Sequence, residues 1–221
     1  MLTDKMKIWL IILLMPATIV LYISAYILWV NINDLPFFKS DEEQILAEYN
    51  EIQTNFDIPI PREYVPVYME AAEHYNIPWT LIAAHHRIET RFSTMKTLIS
   101  PVGAEGHLQF MPCTFVGWQH PTCGGLGGGA IPEEEKVNPS VISKYGGYGV
   151  DANGDGKADP FDLEDAVFSA ANYLASSGAK SGNFEKAIFA YNHSKEYVED
   201  VLYFYNLYNA HKRAIEINLM E

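Results

Sequence analysis

Ile8 to Val30, IWLIILLMPATIVLYISAYILWV, carries no charge over about 23 residues, and it constrains the chain more than any other stretch. As a helix, a run of that length covers the roughly 30 Å hydrocarbon core of a bilayer. Lys5 and Lys7 precede it, while Asn31, Asn33 and Asp34 follow. The positive-inside bias then keeps the N-terminus in the cytoplasm and places everything after Val30 outside. A cleaved signal peptide would have a shorter apolar core and a small-x-small cleavage site. Ser24 and Ala25 are small, but apolar sequence continues past them, so an uncleaved signal anchor is the expectation. Pro16 is tolerable inside a membrane helix. The chain accordingly divides into a cytoplasmic stub and transmembrane anchor over residues 1–34, a helical linker or stalk over 35–61, and a folded domain over 62–221.

A chain of 221 residues holds one well-buried domain plus an appendage. Hydrophobic residues at 48% against 19% charged exclude wholesale disorder. The net charge of -13, from 15 Lys and Arg against 28 Asp and Glu, argues against a nucleic-acid partner, because little would neutralise phosphates. Neutral polymers such as glycans, or bound cations, remain compatible. The two cysteines, Cys113 and Cys123, allow one staple at most. Outside the membrane they could close a short disulfide loop, with free thiols as the alternative.

Helical spacing dominates the rest. Leu35–Lys39 reads as an exit segment, and Ser40 with Glu43 forms a capping box. Ile45, Tyr49, Ile52 and Phe56 share one stripe, which is too short for a dimerising coiled coil and suits a helix lying on its own domain or a stalk. Asp57–Pro61 is a connector. Arg62–Tyr75 follows as a helix with Val65, Tyr68, Met69, Ala72 and Tyr75 as its buried face. Pro78 starts the next helix, where Leu81, Ile82, Ala84 and Ile88 recur at helical spacing. Glu89 falls at the edge of that apolar run, as an ion-pair member or as an acid with a raised pKa. His85 and His86 are adjacent and point about 100° apart, and no HExxH pattern is present, so they read as structural or cleft-lining histidines.

Ser100–Gly106 is a loop that leads into Leu108, Gln109, Phe110, Met111 and Pro112. Phe92, Phe110 and Met111 read as core. Pro112–Gly149 is glycine-rich, poor in regular structure, and expected over a cleft or surface. Leu163–Ser176 forms a helix with Val167, Ala170, Ala171 and Leu174 inward, ended by Gly178. Phe184–Tyr191 is another, capped by Asn183. Lys195 to about Asn218 is a long last helix with Val198, Val201, Leu202, Tyr205 and Tyr208 on one side. No alternating strand or internal repeat is visible, so the fold class is all-α.

Asp151–Asp162, DANGDGKADPFD, has the oxygen spacing of a calcium loop. Asp151, Asn153 and Asp155 take the first, third and fifth positions, Gly156 makes the turn, and Lys157 offers a carbonyl. Asp159 takes the ninth position and Asp162 the twelfth. Three features depart from that pattern: Asp at the twelfth position, Pro160 at the tenth, and no incoming helix. A solvated Asp/Asn/Gly turn is the other reading.

Glu89-Thr90-Arg91-Phe92, Gly106-His107-Leu108-Gln109-Phe110-Met111-Pro112 and Ala190-Tyr191-Asn192 stand in the order of three signposts. These are a glutamate at a helix end, a GLMQ-like turn and an AYN motif. On these motifs the region from Arg62 to Tyr208 resembles the soluble lytic transglycosylase and goose-type lysozyme superfamily. The DANGDGKADPFDLEDAVFSAANYL stretch is similar to membrane-bound transglycosylases and Gram-positive cell-wall muramidases that insert an EF-hand-like loop before a helix. His107-Leu108 departs from the usual Leu-Met and puts substrate detail in question. The resemblance implies a lysozyme-like, α-helical catalytic domain with long loops, preceded by one transmembrane helix.

It also implies the chemistry. A carboxyl kept neutral by apolar neighbours can protonate a glycosidic oxygen, and Glu89 would be that acid and later the base. Ser100 and Gln109 would contact the sugar, Tyr191 would orient the acid or sugar, and Asn192 would hold the local turn. The reading that Gln109 and Asn192 only cap loops stays open. Most glycosidases add a second carboxylate. Glu105 is the nearest by sequence and reads as an exposed bystander. The resemblance to transglycosylases implies that the muramic acid's own groups complete the displacement and leave a 1,6-anhydro end.

The leading expectation is a lytic transglycosylase that cuts the β-1,4 bond between N-acetylmuramic acid and N-acetylglucosamine. A hydrolytic N-acetylmuramidase of the same fold is the close alternative. A non-catalytic glycan-binding or scaffold module of a wall-spanning assembly is the alternative of another class. No cofactor is required for the chemistry, with a structural Ca2+ as an addition. Peptidoglycan strands would be the partner, alongside other cell-wall, secretion or conjugation machinery. The expected location is a bacterial cell membrane, single-pass, with the catalytic domain facing the wall of a Gram-positive cell or encoded by its phage or mobile element.

Overall fold

A computed structural model of the chain describes residues 3–33, 40–53 and 59–219. The chain divides into two units, Met1–Asn55 with Arg213–Glu221, and Phe56–Lys212. Among the described residues all regular structure is helical, and the only β features are isolated bridges at Ile99–Glu105 and Glu105–Phe110.

In the first unit, α1 (Asp4–Asn33) runs for 30 residues through the apolar stretch. Its described side chains from Ile19 to Val30 are exposed on every side, including Tyr22, Tyr26 and Trp29. Among the described residues no helix is long and apolar enough to cross a membrane. The side chains at 8, 10–14 and 17 of the same run lie outside that set. Helix α2 (Asp41–Gln53) opens on the expected capping box, with Glu43 N–H donating to Ser40 Oγ at 3.2 Å and Ser40 N–H to Glu43 Oε2 at 3.0 Å. The exit segment 35–39, the connector residues 57–58 and the side chains of Tyr49, Ile52 and Phe56 fall outside the described residues.

The second unit is organised around one helix. A 3-10 turn, Arg62–Tyr64, leads into α3 (Val65–Tyr75), which Asn76 ends in the left-handed region at φ 54°. Pro78 then stands in extended conformation before α4 (Trp79–Thr90), so it caps that helix and does not occupy its first turn. Ten of the twelve residues of α4 are buried, as expected of a helix with neighbours on all sides. Ala83 and Ala84 are fully buried and admit close neighbours. Helix α4 packs on α3 and on α10 (Lys195–Ala210), α3 on α8 (Leu163–Ser177), α8 on α9 (Phe184–Tyr191), and α9 on α10. This closes a ring of contacts. Arg87 is buried with its guanidinium over the Phe204 ring, 4.0 Å from the centroid.

Several expectations need correction. Met69 is 38% exposed and Tyr75 half-buried, because the buried face of α3 centres on Val65, Tyr68 and Ala72 and recruits Ala71 beside them. The last helix breaks at His211, and α11 (Lys212–Asn218) follows it. Asn183 precedes α9 without a side-chain cap bond.

The glycine-rich tract is more regular than its composition suggests. It holds α5 (Pro112–Val116), α6 (Glu133–Lys136) and α7 (Pro139–Tyr145), which pack on one another. Two of its glycines serve close approach. A Cβ on Gly147 would sit 2.2 Å from Phe115 O, and one on Gly117 would sit 2.2 Å from Tyr145 O. Cys113 and Cys123 form a disulfide with Cα atoms 5.6 Å apart. Closing so short a loop stabilises by about 2–3 kcal/mol in the chain-entropy picture. Dithiothreitol is therefore expected to lower the melting temperature. An unchanged melt after verified reduction would show that the loop adds nothing.

Candidate active site

An open cleft of about 370 Å³ lies at the C-terminal end of α4. Glu89, Ser100, Gln109, Tyr191 and Asn192 all line it, so residues from distant parts of the chain converge on one space. Phe110 and Met111, expected as core, line it too. Phe110 is buried with one face on the cleft, and Met111 is half-buried. Phe92 is core as expected.

Glu89 as a residue is half-buried, yet its carboxyl is bonded to the buried Tyr197, whose hydroxyl donates to Oε1 at 2.5 Å. Burial pushes the Glu89 carboxyl up and the Tyr197 hydrogen bond opposes it, and the balance stands at about 7. Among the described residues, no second carboxylate lines the cleft. Glu105 is no exposed bystander. It is half-buried and paired with Lys136 Nζ at 2.7 Å, and Lys136 also reaches Glu133 at 2.9 Å.

Tyr197 is the residue that sequence reasoning missed. Tyr191, expected to orient the acid or the sugar, lines the cleft, and its hydroxyl donates to Leu108 O at 2.7 Å while its ring packs against Phe110, Tyr173 and His85. Tyr191 therefore braces the Gln109 turn. Tyr197 stands one turn before the buried Val201 on α10, and that spacing is the signal that could have placed it inward. A Tyr197→Phe variant removes a donor that favours the ionised carboxylate. The alkaline limb of its pH–rate profile is then expected to move above the wild-type value near 7, with a loss of rate of about tenfold. A limb that stays put would deny Tyr197 its hold on Glu89.

The opposite wall is built from backbone. Gln109 sits in the left-handed region at φ 50°, and its Nε2 donates to Leu98 O at 2.9 Å and Gly106 O at 2.8 Å. The amide nitrogen thus ties the loop, and the Oε1 acceptor is the part uncommitted to it. Ser100 Oγ accepts from Ala104 N–H at 2.9 Å and closes the 100–104 loop. Asn192 ends α9, with its N–H on Ile188 O.

The turn after Glu89 is strained. Arg91, Phe92 and Ser93 have φ of 53°, 55° and 63°, three consecutive non-glycine residues in the left-handed region. Each costs about 1–2 kcal/mol. The buried Phe92 and hydrogen bonds from Thr90 and Ser93 offset that cost. His85 and His86 are fully buried, and burial holds them neutral, at about 4 and about 3.

The Asp-rich loop lies beside this wall. Asp151 accepts from Gly154 and Gly156 N–H, Asn153 from Asp155, Asp155 from Lys157, and Asp159 from Phe161. Asp162 does not close the loop. Its carboxylate caps α8, accepting from Glu164 and Asp165 N–H. The buried Asp165 closes it instead, accepting from Ala152 and Asn153 with Oδ1 and from Asp159 with Oδ2. Burial pushes the Asp165 carboxyl up and those donors pull it down. Among the described residues no three His, Cys, Asp or Glu side chains converge into a group that could hold a metal ion. The donors suit calcium in kind, all oxygen, and carboxylates that already accept one N–H keep lone pairs to offer.

An all-helical domain with one carboxyl held near neutrality in an open cleft is the arrangement of a lysozyme-like, glycosidase-type enzyme. The family model for the Transglycosylase SLT domain matches residues 141–185, from α7 through the Asp-rich loop and α8 into α9. The match supports a place in the lytic transglycosylase and lysozyme-like superfamily and an enzyme of the transglycosylase or glycosidase type, with peptidoglycan as a consistent substrate. Glu89, Ser100, Gln109, Tyr191 and Asn192 lie outside the matched residues. No curated protein and no solved structure gave a match.

Proposed function

We propose that this protein cleaves the β-1,4 bond between N-acetylmuramic acid and N-acetylglucosamine in peptidoglycan and leaves 1,6-anhydromuramyl ends. The observation that carries the reading is Glu89, the one carboxylate among the described residues lining the cleft, held protonated to about pH 7. The acid donates its proton to the glycosidic oxygen as the C1–O bond breaks. The resulting carboxylate then takes the proton of the muramic acid C6 hydroxyl as that oxygen bonds to C1. Among the described residues lining the cleft Glu89 is the one carboxylate, and the substrate's own hydroxyl is the nucleophile this reading assigns. Ser100, Gln109, Tyr191 and Asn192 form the sugar-facing surround. Mass spectrometry of muropeptides released from purified sacculi tests the product, and reducing ends in place of anhydro ends would make the enzyme a muramidase.

Anchoring through α1, with the enzyme facing the wall, rests on the uncharged sequence Ile8–Val30 and the exposed apolar side chains around that helix. A structural Ca2+ would be held by Asp151, Asn153, Asp155, the Lys157 carbonyl and Asp159, with Asp165 in the place that the oxygen spacing assigns to Asp162. It would offset the charge crowded into that loop and take no part in bond cleavage. Calcium at several times its Kd is expected to stabilise the protein by about 1 kcal/mol, seen as a lower melting temperature after chelation. Identical melts with calcium and with EDTA would remove the ion.

A further inference from the structure

A chain of hydrogen bonds crosses from α4 to the Gln109 turn without touching the cleft. Tyr68 Oη lies 2.6 Å from His86 Nδ1, His86 Nε2 2.7 Å from Ser93 Oγ, Ser93 Oγ 2.5 Å from His107 Nδ1, and His107 Nε2 2.9 Å from Phe161 O. A carbonyl only accepts, so His107 carries its proton on Nε2. Its Nδ1 then accepts from the Ser93 hydroxyl. The Ser93 oxygen in turn accepts from His86 Nε2–H, which leaves His86 Nδ1 to accept from Tyr68. One backbone carbonyl therefore orders every proton in the chain. Burial resists an extra proton on either ring.

Ser93 is the hinge of this arrangement. It stands last in the strained left-handed turn after Glu89, and its N–H donates to Thr90 Oγ1 at 3.1 Å. The Thr90 hydroxyl donates to His107 O at 2.7 Å, so a second link runs parallel to the first. His86 sits on the helix that carries Glu89, and His107 sits two residues before Gln109. Ser93 is not among the residues lining the cleft. We propose that Ser93 is a positioning residue, whose hydroxyl joins His86 to His107 and so holds the acid and the Gln109 wall at one spacing. This rests on the glycan-cleaving reading of the cleft.

Ser93→Gly separates the hydroxyl from the backbone, because glycine accepts the left-handed conformation without strain. The expected result is a variant that melts no lower than Ser93→Ala, with kcat down about ten- to a hundredfold and KM within about twofold of wild type, as expected for misplaced reacting groups. Wild-type kcat in Ser93→Gly would overturn the positioning role. Independently of turnover, 15N NMR of the wild type at pH 7 should show both His86 and His107 with the proton on Nε2. An Nδ1–H form of either ring in an enzyme that cleaves sacculi normally would overturn the relay and leave the functional reading standing. Failure of the wild type to cleave any glycan would sink that reading and the positioning role with it.

Discussion

A Glu89→Gln variant is expected to digest purified sacculi about a thousandfold more slowly than wild type, since glutamine cannot supply a proton to the leaving oxygen. The same variant should be more stable than wild type at pH 8. The wild-type carboxyl has its ordinary value near 4.5 in the unfolded chain and about 7 in the folded one. Below pH 4.5 both states are protonated, and burial of this group costs no ionisation penalty. Between pH 4.5 and 7 the unfolded chain gives up its proton while the folded one keeps it, so stability falls across that window, and above 7 the folded state carries the full penalty of a buried charge. A fully sealed carboxyl shifted this far would carry about 3 kcal/mol. The open side toward the cleft reduces that to about 1–2 kcal/mol. Glutamine removes the penalty and can still accept from Tyr197. The paired measurement is sacculus digestion with melting temperatures at pH 5 and pH 8. A variant that keeps more than about a tenth of wild-type activity would take Glu89 out of the chemistry. A variant whose stability gain is equal at both pH values would show that the carboxyl is not held neutral.

Gly106→Ala is expected to be the most damaging single-methyl change near the cleft. A Cβ at that position would lie 1.9 Å from Pro160 O, a backbone atom that cannot swing aside, and Gly106 has φ +81°. Both the contact and the conformation exclude a side chain. The turn that presents Gln109 would have to leave the Asp-rich loop and break the bond from His107 N–H to Pro160 O at 3.0 Å. We expect a loss of about 3 kcal/mol or more, with activity falling alongside it. The check is a denaturant midpoint. Gly103→Ala is a matched control in the neighbouring loop, where φ is also positive at +90° but a Cβ would meet nothing within 4 Å. Equal losses in the two variants would assign the effect to φ alone and free the Pro160 contact from any role.

Much of this protein was legible from its residues. Leu81, Ile82 and Ala84 announced a buried helix by their spacing, Glu89 stood out as a carboxylate at its edge, and Ser40 with Glu43 spelled a cap that the structure contains. These signals are local, resting on contacts within a turn or two, so spacing alone exposes them. The disulfide was an open alternative in sequence and needed the folded loop to bring Cys113 and Cys123 together.

Other features depended on the tertiary structure. Tyr197 reaches Glu89 across 108 residues, and no spacing rule connects them. The spacing of oxygens favoured Asp162 as the residue closing the Asp-rich loop. The start of α8 claims that side chain as a cap, and the next turn turns Asp165 inward. By sequence His86 reads as a structural or cleft-lining histidine and His107 as a departure from a motif, and only the strained turn puts Ser93 between them. By itself, then, the sequence marked the longer helices of the second unit and the carboxylate that stands at the cleft, while the three short helices of the glycine-rich tract stayed hidden in it. The tertiary structure decided how firmly this carboxyl holds its proton, because burial favours the protonated form and a distant hydroxyl opposes it, and neither is encoded within one helix.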